Sequence, residues 1–201
     1  MRPTHGILAL LASVALGTPT FVLAQQSTDM LIDSLREGGY VIYMRHAATE
    51  RDYADQVTAD PADCATQRML SEAGWQDARR VGESIRRLGI PVGEVLSSEY
   101  CRAWQTADLA FGSYAKKAAL NFEPAEEYTE VQVTAMRDRV MPLLIAPIAD
   151  GNRVIVGHDD PFEAVTGIYP EPQGVAFVLR TGADGKIEVL GRIAPDAWPG
   201  E

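Results

Sequence analysis

Short, continuous apolar runs alternate with longer amphipathic stretches along this 201-residue chain, and the alternation sets the class of fold. Tyr40-Val41-Ile42-Tyr43-Met44, entered through Gly38-Gly39, is apolar, β-branched and aromatic. It is too short for a helix and predicts a strand buried on both faces. Val92 to Ser97 reads as a second short strand, and Arg153-Val154-Ile155-Val156 as a third, buried one. Between them lie helical patterns. Asp29 to Arg36 is a short one, and Ser71 caps the next, with Ala78, Val81, Ile85 and Leu88 on one face and a stop at Arg86-Arg87 and Gly89 before Pro91. Arg102 to Phe111 and Thr129 to Ile145 follow, the latter bent or interrupted by Pro142. Gly174 to Arg180 and Lys186 to Ile193 flank Asp184-Gly185 as a hairpin. Strands separated by helices predict an α/β three-layer sandwich with a mainly parallel central sheet flanked by helices. Ala47 to Met69 has no period of its own, carries Asp52, Asp55, Asp60, Pro61 and Asp63, and predicts a long functional loop.

The first residues fall outside this pattern. Met1 to Ala24 has one early charge at Arg2, an apolar run from Ile7 to Leu16 and small residues around Val22-Leu23-Ala24-Gln25, the layout of a signal peptide cleaved after Ala24. An uncleaved anchor is the alternative, but Gly17-Thr18-Pro19-Thr20 breaks the run well short of the ~20 residues a membrane span needs. The expected organisation is a signal peptide over 1–24 and one domain over 25–201, in the periplasm or secreted. At 46% hydrophobic the chain can bury one substantial core.

The net charge is −10, and losing Arg2 with the leader makes it −11. With no basic run, nucleic acid is excluded as an expected partner, although a few converging arginines can still bind a small phosphate. In an exported chain Cys64 and Cys101 are expected to form a disulfide, two separate buried thiols being the other possibility. Their spacing suggests neither a metal site nor a catalytic cysteine.

Beyond His5 in the leader, the only histidines are His46 and His158, and each follows a predicted buried strand. Ligands of open α/β sheets bind at the carboxyl ends of strands, so the two can meet in one crevice. A phosphate ester needs a nucleophile, cations for its oxygens and an acid for the leaving group. Arg45 and His46 supply the first two. Arg102, at a helix start just after a strand, can add its fork to the helix amino terminus, or be a solvated helix residue.

These residues resemble a known family. Arg45-His46-Ala47-Ala48-Thr49-Glu50 resembles the Arg-His-Gly-x-Thr signature of the histidine phosphatase superfamily, which includes phosphoglycerate mutase-like and acid phosphatase-like enzymes. Leu96 to Ala107, with Ser97-Ser98, Arg102 and Thr106-Ala107, is similar to its serine-pair and arginine segment, and Val156-Gly157-His158-Asp159 to its second histidine motif. The resemblance implies a phosphoglycerate mutase-like fold, a phosphohistidine on His46, and Arg45, Arg102 and His158 clamping the phosphoryl oxygens, with Thr49 in substrate binding and no metal or cofactor. For the general acid it offers Asp159, as in the acid phosphatase branch, or Glu126 or Glu127, near where the mutase branch carries its acid. Asp159 is the preferred reading; its structural alternative is a cap that opens the next helix with Asp160 and Pro161. Ala47 departs from the family by adding a methyl group where glycine is usual.

Small periplasmic members resemble enzymes acting on sugar phosphates of the lipopolysaccharide core, so a phosphosugar is the expected substrate class. Mutase action fits export poorly. A non-catalytic anion-sensing module and a structural domain with incidental histidines are the alternatives from other classes.

Overall fold

The computed structural model describes residues 26–52, 55, 59–123, 127–182 and 184–199; the expected leader and Glu126 lie outside them. The chain runs α1 (Thr28–Glu37), β1 (Val41–Arg45), α2 (Glu72–Arg87), β2 (Val92–Ser97), α3 (Cys101–Phe111), β3 (Ala115–Lys116), α4 (Glu130–Ile145), β4 (Asn152–Gly157), α5 (Asp159–Thr166), β5 (Ala176–Thr181) and β6 (Ile187–Ile193). The strands form one mixed sheet in the order β3-β2-β4-β1-β5-β6. The pairings β1/β4, β2/β4 and β2/β3 are parallel, and the β5–β6 hairpin joins antiparallel to β1. The expected α/β sandwich is the observed fold, and its parallel part is the part that carries the histidines.

Alternate residues of the central strands serve two cores. Ile42, Met44, Val154, Val156 and Val178 pack with α1, α2 and α3, while Val41, Tyr43, Ile155, Phe177 and Leu179 pack with Leu144 of α4 and Phe162 of α5. Strands covered on both faces must be apolar at every position, which is why β1 reads as a continuous run. The helix ends follow their caps: Ser71 Oγ accepts from Gly74 N, and Thr129 with Gln132 forms a capping box. Pro142 lies inside α4. Among the described residues no helix is long and apolar enough to cross a membrane.

One close approach fixes the floor of the sheet edge. A Cβ at Gly74 would lie 2.0 Å from the Ala48 carbonyl oxygen, so only glycine lets the first turn of α2 press on the loop after β1. Ser71 then closes that contact, its N–H and hydroxyl donating to the same oxygen at 2.9 and 3.1 Å.

Candidate active site

Three parallel strands end at one edge of the sheet. Each is followed at once by a polar residue that is fully buried: His46 after β1, Ser98 after β2 and His158 after β4. The ladder continues one step past the strands, with His46 N–H donating to Gly157 O at 2.9 Å and Ser98 N–H to Val156 O at 3.0 Å. This fixes the register of the side chains, and the two imidazoles meet at 5.5 Å between ring centroids.

The partners of His46 define its tautomer. Nδ1 lies 2.9 Å from Ala47 O, which can only accept, and Nε2 lies 3.2 Å from Arg102 Nε, which can only donate. Nδ1 therefore carries the proton and Nε2 presents its lone pair. Burial is the main cause holding the His46 pKa well below its usual value, followed by the Arg102 charge and then Arg45 and Arg68, against the opposing pull of the Ala47 hydrogen bond. Desolvation outweighs the two neighbouring guanidinium charges.

Arg45 and Arg102 flank the histidines, each nearly fully buried. Arg102 Nη1 donates to Asp55 Oδ1 at 2.9 Å. Arg45 Nη1 reaches Pro170 O and Glu171 Oε1 at 2.9 and 2.8 Å, and its Nη2 reaches Asp159 Oδ2 at 2.6 Å. Tyr169 lies under the Arg45 guanidinium at 5.3 Å and donates its hydroxyl to Asp159 Oδ2 at 2.8 Å. Arg45 Nε and His158 Nδ1 are buried with no hydrogen-bond partner among the described residues. Buried polar atoms are rarely left so, and two of them among guanidinium groups suit an oxyanion.

The structure thus brings Arg45, His46, Arg102, His158 and Asp159 into one cluster and shows Arg102 to be no solvated helix residue. Thr49 is held at its margin, its N–H donating to Gln173 Oε1 at 3.0 Å, on the wall of a cleft of about 940 Å³ shared with Glu50, Arg68, Glu171 and Gln173. Glu127 is exposed. Asp159 occupies the first turn of α5 as well as the cluster, so capping position and site coincide. The methyl group of Ala47 packs with Leu70 and Ala78. Among the described residues no group of His, Cys, Asp and Glu converges that could hold a metal ion.

The expected disulfide forms, and it comes with contacts the sequence did not show. Cys64 and Cys101 are bonded, and Gln67 Oε1 accepts from Cys101 N–H at 2.7 Å. Together they hold Cys64 and Gln67 against the start of α3, where Asp55 also meets Arg102. The expected disulfide was the available signal, since it ties Cys64 to the neighbour of Arg102. For Glu171 and Tyr169, on the α5–β5 connection, periodicity gave no signal.

The sequence profile of the histidine phosphatase superfamily (branch 1) matches residues 41–142, half of the chain. The protein belongs to the histidine phosphatase superfamily. No curated protein matches the sequence. Among solved structures, the histidine phosphatase fold is shared with the protein histidine phosphatase SixA bound to tungstate, at TM-score 0.55 and 14% identity over 78% of this chain and 97% of that one. A putative alpha-ribazole-5'-P phosphatase from Escherichia coli K-12 aligns at TM-score 0.58 and 16% identity, covering 78% and 97%. A mycobacterial glucosyl-3-phosphoglycerate phosphatase bound to VO3 aligns at TM-score 0.56 and 15% identity, covering 76% and 97%. At such identities the likeness speaks to fold alone. The profile match stops short of His158 and Asp159, so the branch it names bears on the first two histidine phosphatase motifs and not on the third.

Proposed function

We propose that the protein is an exported phosphomonoesterase that hydrolyses a phosphate ester through a phosphohistidine on His46. One observation carries the reading: a buried, neutral imidazole whose Nδ1–H is committed to Ala47 O and whose Nε2 lone pair faces a guanidinium-lined cluster. A nitrogen so prepared can attack phosphorus at ordinary pH.

In this mechanism Nε2 forms the bond to phosphorus as the ester oxygen leaves. Arg45 Nε, Arg102 and His158 hold the three non-bridging oxygens, which gain charge in the transition state. Asp159 protonates the leaving oxygen. Its carboxylate then takes a proton from water as that water attacks the phosphohistidine, and inorganic phosphate departs. The side chains supply the charge stabilisation, so the reaction needs no metal ion.

Export rests on the leader-like layout of residues 1–24 and is supported by the Cys64–Cys101 bond, since disulfides persist in oxidising compartments. The cleft beside Thr49 is far larger than a phosphate and is lined by Glu50, Arg51, Asp52 and Arg80 among others. Mixed charges with polar groups between them suit a hydroxyl-rich leaving group, such as a sugar.

The test is release of phosphate from p-nitrophenyl phosphate in the presence of EDTA, comparing the protein with His46→Ala. Chelator-resistant release that vanishes in the variant supports the phosphohistidine route. A variant that loses turnover from every ester tried yet still binds tungstate fits the enzyme; a wild-type protein that binds tungstate and turns over nothing from acidic to neutral pH is a sensing module instead.

A further inference from the structure

His158 is oriented by a chain of hydrogen bonds whose direction can be assigned from end to end. Glu99 N–H can only donate, and it meets Asn121 Oδ1 at 3.0 Å, while Asn121 Nδ2 donates to Glu99 Oε2 at 2.9 Å. The amide is thereby fixed with its oxygen toward Ser98, whose Oγ lies 2.8 Å away. An amide oxygen cannot donate, so the single Ser98 hydroxyl proton points at Asn121. Ser98 Oγ must then accept from its other neighbours, Tyr100 N–H at 3.2 Å and His158 Nε2 at 2.8 Å. His158 is left as the Nε2–H tautomer, and the partnerless buried Nδ1 is a bare lone pair.

That arrangement opposes the task given to His158. A lone pair cannot hold a phosphoryl oxygen, and only a protonated Nδ1 can. We propose that Asn121, acting through Ser98, sets the His158 tautomer so that Nδ1 is empty in the free protein and gains a proton from water together with the incoming dianion. Asn121 is a positioning residue, and Glu99 orients it. The proposal rests on the phosphatase reading for its purpose, though the tautomer does not depend on turnover.

The surroundings of the ring fit a proton that waits for an anion. Tyr100 and Phe122 hold it edge-on, with centroids at 5.4 and 4.8 Å. Burial first, and then the charge of Arg102 with those of Arg45 and Arg68 behind it, keep the free ring neutral. The carboxylates of the cluster are already engaged, Asp55 on Arg102 and Asp159 on Arg45. A dianion placed among these guanidinium groups adds negative charge beside the ring, and protonation of Nδ1 then becomes favourable. The free energy that protonates the ring comes from the anion, so binding and proton uptake are one event.

The test uses tungstate, a dianion that carries no proton of its own near neutral pH, with two readouts that need no substrate. Imidazole nitrogen-15 spectra, with His158 assigned through His158→Gln, are expected to show Nε2–H in the free protein and both nitrogens protonated with tungstate bound. Calorimetry in buffers of different ionisation enthalpy is expected to show about one proton taken up per ion. In Asn121→Ala the Ser98 hydroxyl loses its acceptor and turns to donate to Nε2, so His158 becomes Nδ1–H. Proton uptake should then disappear while tungstate still binds, because Nδ1 already carries its donor. The paired exchange E99Q/N121D reverses the side-chain bond between the two positions but keeps an acceptor facing the Ser98 hydroxyl, and should restore proton uptake. An Nδ1–H tautomer in the free wild-type protein, or tungstate binding without proton uptake, overturns the proposal even if no variant folds. Uptake with the expected tautomer in a protein that hydrolyses nothing leaves the proposal standing and removes the catalytic reading.

Discussion

The carboxyl ends of β1 and β4 each deliver a buried, neutral histidine to the same cluster, but the two are held in opposite ways. His46 has its proton on Nδ1, fixed by the main-chain carbonyl of Ala47. His158 carries its proton on Nε2, fixed by the side chains of Ser98 and Asn121. The His46 tautomer is therefore written into the backbone, where no single side-chain substitution removes it. The His158 tautomer depends on two residues from other elements and can be switched.

The comparison can be broken most completely at the nucleophile. His46→Ala should lower kcat by at least about 10³-fold, since no other group supplies the attacking lone pair. His158→Ala removes one oxyanion donor and should cost roughly 10²-fold to 10³-fold. Measured side by side under saturating substrate, equal losses would mean that the two rings act as a unit rather than in separate roles.

The loop beside Arg102 gives a smaller effect of a different kind. The Cys64–Cys101 bond closes a ring with a sequence separation of 37, worth about 4 kcal/mol of stability in the chain-entropy account. The double substitution C64S/C101S should lose about that much in denaturant unfolding, and because Gln67 and Asp55 then loosen from α3, KM should rise more than kcat falls. Proton linkage sharpens the comparison further. Both rings stay neutral in the folded chain, whereas in the unfolded chain they titrate near about 6.5. The unfolded state thus binds more protons as pH drops below about 6.5, and stability should fall with a slope approaching about 2.7 kcal/mol per pH unit, halved in His158→Gln. Stability that is flat between pH 6.5 and 5.5 would mean that the rings are charged in the fold. The smallest effect is expected at Tyr169→Phe, which removes one hydrogen bond from Asp159 at an exposed position and should change kcat by no more than about threefold.

Much of this was legible in the sequence because burial on both faces leaves a clear mark. β1 and β4 hold short apolar runs buried on both faces, and a polar residue close behind such a run lands at the ligand-binding edge, so the histidines announced themselves. The sheet's antiparallel edge was legible only as a hairpin; that β5 pairs with β1 is a matter of tertiary packing. β3 is two residues long, and α5 is eight residues opening on Asp159-Asp160-Pro161, too brief for a periodic signal. Asp55, Asn121 and Glu171 come from segments without period. Their roles exist only once the disulfide, the turn over Ala118–Leu120 and the α5–β5 connection have carried them to the histidines, a distance in sequence that no local rule spans.

The bond between Cys64 and Cys101 also makes the molecule hard to cut in two. It encloses α2, β2 and the exposed turn at Gly89 within one covalent ring. A protease that nicks the chain at that turn severs a peptide bond but releases no fragment, because the two pieces stay joined beside Arg102. Clipping at that place leaves a single molecule that still holds both histidines.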